Sequence, residues 1–291
     1  MNLLGQEITP AAIIKHIVEV QKYFCNHHRP AAWLKQQPNT VKPQLPNDTR
    51  WNSQLTCIDT FLKNRSAYLK ICEENEEAID ARISQLVNNY NLYKQVKDLH
   101  AQLQSVGKCL DKLQGDSATL ADACHEWLGL MKDKNLMQYK NQIAARMKAA
   151  LQPFHFLAYM TDPKYKGERL NDQQKEQARN WLHAKLPDRL SSLIAFEAET
   201  EPYPASFFKV KDLKASVWWK GLTKSKKLPT DFVRLMIQLQ CAPPSSASIE
   251  RIFSNFGLVH SKLLNRLGVE KATKLVFCYR MLRGGLDIDW V

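Results

Sequence analysis

From Thr9-Pro10 onward, apolar positions recur along the chain at helical spacing. Thr9 reads as an N-cap with Pro10 at the first helical position, where its missing N–H costs nothing. Ile13, Ile14, Ile17, Val18, Gln21 and Phe24 follow on one face, and the pattern stops at His28-Arg29-Pro30. A short helix over 31–37 is expected next. PNTVKPQLPND (38–48) holds three prolines and reads as a loop. A helix starting at 48–52 carries Leu55, Ile58, Phe61 and Leu62.

Leu92, Val96, Leu99, Leu103, Val106 and Leu110 alternate spacings of 4 and 3, an a/d seam. Its length suits one helix of a bundle packing on its own neighbours better than an intermolecular zipper. Gly115-Asp116-Ser117 breaks that helix and caps the next, which carries Leu120, Cys124, Trp127, Leu128 and Met131. A further helix passes Ile143 and Met147 to Leu151, and helical runs continue over 171–186 and 187–198. ETEPYPASFFKVK (199–211) reads as a connector. A helix holding Trp218-Trp219, a basic turn KGLTKSKK, and a helix from Pro229 through Phe232, Leu235, Met236 and Leu239 come after it. CAPPSS is a sharp break, and helices over 246–256 and 269–283 close the pattern. No alternating strand set stands out, so the expected class is mainly α.

The chain of 291 residues is 44% hydrophobic and 24% charged, enough for one large or two modest domains. No apolar run approaches the roughly 20 residues of a membrane helix, and MNLLGQEITP makes a poor signal peptide. Seven scattered cysteines with no CxxC favour reduced thiols inside a cell. The net charge of +12 is uneven: 9 basic against 4 acidic residues over 1–70, 17 against 18 over 71–200, and 15 against 7 over 201–291. Basic ends suit an anionic partner, nucleic acid first, although lysine-coated helices give the same total.

Local chemistry is sparse. Cys25, His27 and His28 cluster at a helix end with His16 further up, but tetrahedral zinc wants four well-spaced ligands and no second cluster accompanies them. Cys124-His125 is a neighbouring pair on a helix rather than a nucleophile–base arrangement. SSASIERIFSNFG (245–257) sets Glu250 beside Arg251 at a helix start. Serines there are good N-caps and an acid suits the dipole, so capping or an Arg251 ion pair accounts for Glu250 without any chemistry.

The ordered motifs say more. Trp218-Trp219, the Pro-Ser-Ser break, Glu250-Arg251-x-Phe253-Ser254 and Leu263 to Leu267 resemble the C-terminal dimerisation region of hAT-family transposases over residues 212–283. NDTRWNS (47–53) is similar to the family's TRWNS signature, FHFLAYMTDPKYKGERL (154–170) to its LA-x-x-x-DP-x-YK segment, and MNLLGQEI to the tail of its Cys-x-x-His-x-x-Asn-Leu stretch. The resemblance implies a ribonuclease-H-like core, split by a helical insertion domain, that cleaves and joins DNA with two Mg²⁺ held by two aspartates and one glutamate. Converging carboxylates suit that task because Mg²⁺ prefers hard oxygen ligands. By motif, Glu250 falls on the third acid. Trp51, beside Arg50, falls on a tryptophan that stacks an extruded base, though as a residue it serves equally as a core anchor.

Both family aspartates lie upstream of the MNLL stretch, on strands absent from this sequence, and the zinc finger is absent too. One carboxylate cannot hold two metals. The resemblance thus implies a chain that is not itself an enzyme and needs no cofactor, with Mg²⁺ relevant only if the missing aspartates are supplied. Residues 1–50 would be a remnant of the core helix and linker, 51–200 the insertion domain, and 201–291 the dimerisation region. Dimerisation, with itself or a related hAT transposase, would rest on Trp218, Trp219, Phe232, Leu235, Leu239, Ile252, Phe253, Phe256, Leu263, Leu267, Leu275, Val276 and Tyr279, as core and contact together. DNA remains an open partner through Arg50 and Trp51 or the basic ends, a membrane is not expected, and the family implies a nuclear location.

Overall fold

The computed structural model describes residues 2–47, 52–210, 212–225, 227–259 and 268–284. Among these, every regular element is helical, as the mainly α reading expects. No helix among them is long and apolar enough to cross a membrane.

Helices α1 (Asn2–Ile8), α2 (Ala11–Asn26), α3 (His28–Gln36), α4 (Asn52–Glu74), α5 (Ala81–Asn88) and α6 (Tyr90–Gln114) form the first half of the core. The seam on α6 buries Leu92, Val96, Leu99, Leu103 and Val106, and α6 packs on α1 and α4 of the same chain. Two boundaries differ from expectation for local reasons. Pro10 is the N-cap of α2 rather than its first residue, and the Thr9 hydroxyl instead donates to the Gly5 carbonyl at 2.7 Å, closing the end of α1. α3 starts before Pro30 because an N–H in the first helical turn has no intrahelical partner to lose.

The proline-rich loop is strapped to α4 by polar side chains. Asn64, fully buried, accepts from the Val41 N–H at 2.8 Å and donates to the Val41 carbonyl at 2.7 Å, pairing both backbone groups as a strand would. Thr60 accepts from the Gln44 N–H at 3.2 Å and donates to the buried Gln21 side chain, whose amide in turn donates to the Cys57 carbonyl. After the turn at Asn39, residues 40–47 have no regular structure, and backbone groups of Val41 and Gln44 find side-chain partners instead.

Helices α7 (Leu120–Leu130), α8 (Lys140–Ala150), α9 (Pro153–Met160), α10 (Asp172–Lys185), α11 (Leu190–Glu197), α12 (Ala215–Gly221) and α13 (Thr230–Cys241) complete the core. Gly115 ends α6 as expected, but α7 is capped by Thr119 in a capping box with Asp122, not by Ser117. One hydrophobic cluster runs from Leu4 to Leu239. The expected boundary at 200/201 passes through it. Phe196 stacks on Trp219 with centroids 5.3 Å apart and meets Tyr203 and Trp218 edge-on, and the Trp219 indole donates to the Thr161 carbonyl of the preceding segment at 2.9 Å.

The last two helices, α14 (Ala247–Val259) and α15 (Val269–Gly284), pack on each other. None of their described side chains belongs to the main core cluster.

Candidate dimerisation surface

The chain leaves the core at the end of α13, where Pro243 and Pro244 forbid further helix. Ser245 then does two jobs. Its hydroxyl donates to the Leu113 carbonyl near the end of α6 at 3.3 Å and accepts from the Ala247 N–H. One turn on, Ser246 Oγ donates to Glu250 Oε1 at 2.6 Å. Arg251 turns away from Glu250 and donates to Asp116, in the turn between α6 and α7, at 2.5 Å. The capping account of Glu250 thus has a geometric basis, while the expected Glu250–Arg251 pair gives way to Arg251–Asp116: adjacent residues on a helix point about 100° apart and do not face each other.

These polar ties hold α14 against the end of α6 and leave an apolar face open. Ile249, Ile252 and Phe253 stand at i, i+3 and i+4 and are all exposed, Phe253 by 70%. On α15, Leu275 and Phe277 are exposed and Val276 is buried. Lys274 pairs with Glu270 one turn earlier, leaving that helix its own polar side. A run of apolar residues at helical spacing belongs against another surface.

The other residues expected to dimerise divide sharply from these. Trp218, Trp219, Phe232 and Leu239 are buried within the chain, and Leu235 is partly buried against the same cluster. The Trp218 indole donates to the Phe207 carbonyl at 3.0 Å, so neither tryptophan has a free edge to offer a partner. They are core, not contact. Phe256 and Tyr279 lie on α14 and α15, with side chains outside the described set, and Leu263, Leu267, Arg50 and Trp51 lie outside the described residues.

Among the described residues, Glu250 has no second acid beside it. Glu250 is exposed and engaged by Ser246, its helix neighbour Arg251 takes Asp116, and among the described residues no three carboxylate, histidine or cysteine side chains converge. The histidine-rich helix end is also accounted for locally: His27 Nδ1 meets the Tyr23 carbonyl at 3.1 Å and the Cys25 thiol faces the Pro43 carbonyl. Burial pushes the Cys124 thiol up to about 12, which disfavours its thiolate. His125 stacks on Tyr165, and its Nδ1 lies 3.3 Å from Tyr159 Oη.

The segment LAYMTDPKYK builds a buried polar knot that sequence reasoning named only by resemblance. Tyr165 Oη donates to Asp122 Oδ1 at 2.7 Å, locking the capping box of α7 to the turn after α9. Asp162 accepts from the Lys164 N–H at 2.8 Å, and burial raises its carboxyl to about 6. Gly167, at φ 69°, closes that turn, where a side chain would meet Met160.

Compared with known families, residues 197–282 match the hAT family C-terminal dimerisation region. The resemblance to hAT-family transposases drawn from the motifs is borne out over this stretch, which is less than a third of the chain. The match takes in Tyr203, Trp218 and Trp219 of the buried aromatic cluster as well as α14 and most of α15. No curated protein matches the chain.

Proposed function

We propose that this chain is a non-catalytic, transposase-derived association module that pairs with a second copy, or with a related hAT transposase, through the open face of α14 and α15. The observation that carries this is Phe253, 70% exposed beside Ile249 and Ile252 on a helix that the chain's own core does not use. Burying side chains of this size contributes about 1.5–3 kcal/mol each, so a symmetric pairing of two such faces is an adequate driving force. The buried aromatic cluster acts one step back, as the platform from which α13 projects α14. On this reading residues 51–200 descend from the insertion domain of a ribonuclease-H-like transposase and residues 1–50 from its core helix and linker, and the family implies a nuclear location.

The test is the solution mass of Phe253→Asp beside the wild type. The reading expects a dimer for the wild type and a folded monomer for the variant. Equal masses with unchanged solubility would move the interface elsewhere.

A second reading is favoured by the exposure of Glu250, which leaves it reachable by another chain. In it, a longer partner carrying the two missing aspartates takes Glu250 as its third acid. Mixing the two proteins would then give Mg²⁺-dependent nicking of DNA that Glu250→Gln abolishes, whereas nicking that survives the substitution removes Glu250 from the chemistry.

A further inference from the structure

A second apolar surface lies on the opposite logic: aliphatic, small and ringed by unpaired lysines. Val210, Leu213 and Val217 are 51%, 43% and 46% exposed. They are exposed apolar positions within one short stretch of the chain. The Phe207 carbonyl accepts from both the Val210 N–H and the Trp218 indole, which brings Val210 against α12. Val217 on α12 has the N-cap residue Lys214 three positions before it and Lys220 three positions after it, so each lysine neighbours Val217.

Among the described residues, three cations around this patch have no carboxylate of their own. Lys209, Lys214 and Lys220 are exposed and make no ion pair among the described residues. Their neighbours behave differently, for Lys166 pairs with Glu199 and Lys227 with Glu201. Residues 209–227 hold seven lysines against the single Asp212. Such a rim raises the local density of anions and orients them over the apolar centre.

We propose that Val210, Leu213 and Val217, rimmed by Lys209, Lys214 and Lys220, dock an acidic amphipathic helix of another protein. Its aliphatic stripe would cover the three exposed side chains, and its flanking carboxylates would meet the lysines. A nucleic acid is a poorer fit, because single-strand readers stack bases on exposed aromatics, and both tryptophans of α12 are buried. A membrane surface is poorer for the same reason, since interfacial helices seat aromatic and large aliphatic side chains in the headgroup layer. A second copy of this chain offers the wrong complement. Its densest exposed acidic run, Glu73, Glu74, Glu76 and Glu77, is flanked by Ile71 and Ile79, both buried, and so presents charge without a stripe.

The experiment uses the full chain and a labelled synthetic peptide of about 18 residues, with Leu at i, i+3, i+4 and i+7 and Glu between them, long enough to hold a helix on binding. Its controls are a scrambled peptide of equal charge, a random-sequence DNA duplex and phosphatidylserine vesicles. The expected result is saturable binding of the patterned peptide, weakened roughly tenfold or more by Lys214→Glu/Lys220→Glu and by raised salt. Val217→Asp weakens it too, while Phe253→Asp leaves it unchanged, which separates this surface from the dimer face. Circular dichroism of the variants should be unaltered, because the lysine side chains are exposed and make no ion pair among the described residues. Equal binding of the scrambled peptide, tighter binding of DNA or vesicles at the same salt, or indifference to all three substitutions overturns the proposal.

Discussion

The guanidinium of Arg251 donates to the carboxylate of Asp116 at 2.5 Å, joining the first turns of α14 to the α6–α7 turn 135 residues away. With the Ser245–Leu113 bond it fixes the direction in which α14 leaves the core. Both partners are well exposed, so water and salt weaken the pair. Arg251→Ala should lower stability by less than about 1 kcal/mol, and a double-mutant cycle with Asp116→Ala should give a coupling of roughly 0.3–1 kcal/mol. Denaturant unfolding of the four proteins measures both.

The tryptophan pair predicts the reverse pattern. Trp219→Phe keeps most of the ring volume but strands the buried Thr161 carbonyl, since the neighbouring Gln240 amide donates to the Thr161 hydroxyl and to the Ala158 carbonyl instead. An unpaired buried acceptor and the lost ring volume together should cost about 2–4 kcal/mol. The cost should appear in the melting curve of the isolated chain at any protein concentration. A loss confined to the dimer would instead put Trp219 at the contact.

Asp162 makes stability depend on pH. Burial raises its carboxyl from 3.8 to about 6. Between those values the native chain holds a proton that the unfolded chain has released. The contribution is therefore fully present below about pH 3.8 and lost as pH rises through 6. Asp162→Asn keeps an oxygen to accept from the Lys164 N–H and removes the buried charge. It should be more stable than the wild type at pH 8 by about 1–3 kcal/mol, with the difference closing toward pH 4. Paired unfolding curves across that range check the sign.

Asn64 holds the proline-rich loop, and no apolar contact can replace its two bonds to Val41. Asn64→Ala should cost about 2–3 kcal/mol and release residues 38–47 first. Amide hydrogen exchange at Val41 should speed up more than at Ile71, which is buried on the same helix as Asn64.

The helices were legible in the sequence because most of them carry a one-sided apolar stripe, and α6 shows this most plainly. The helix over 246–256 was legible from its Ser-rich start. What the sequence could not separate was core from contact within one motif. Trp218 and Phe253 are both apolar residues of the dimerisation region, yet the Phe207 carbonyl claims one, while the lack of any core neighbour leaves the other exposed. Ion-pair partners were equally out of reach: Arg251 has Glu250 adjacent in sequence, but helix geometry sends it to Asp116. Thr9 and Thr119 show the same limit on a smaller scale, since a hydroxyl can close the helix behind it or open the one ahead.

The most direct measurement is the solution mass of the wild-type chain by light scattering, at low and moderate salt and over a range of concentrations. Pairing through Ile249, Ile252, Phe253 and the exposed apolar side chains of α15 is driven by apolar burial, which salt does not screen. The account predicts a species of twice 33.5 kDa that persists as salt is raised. A monomer at every concentration, or a dimer that salt dissolves, would contradict it.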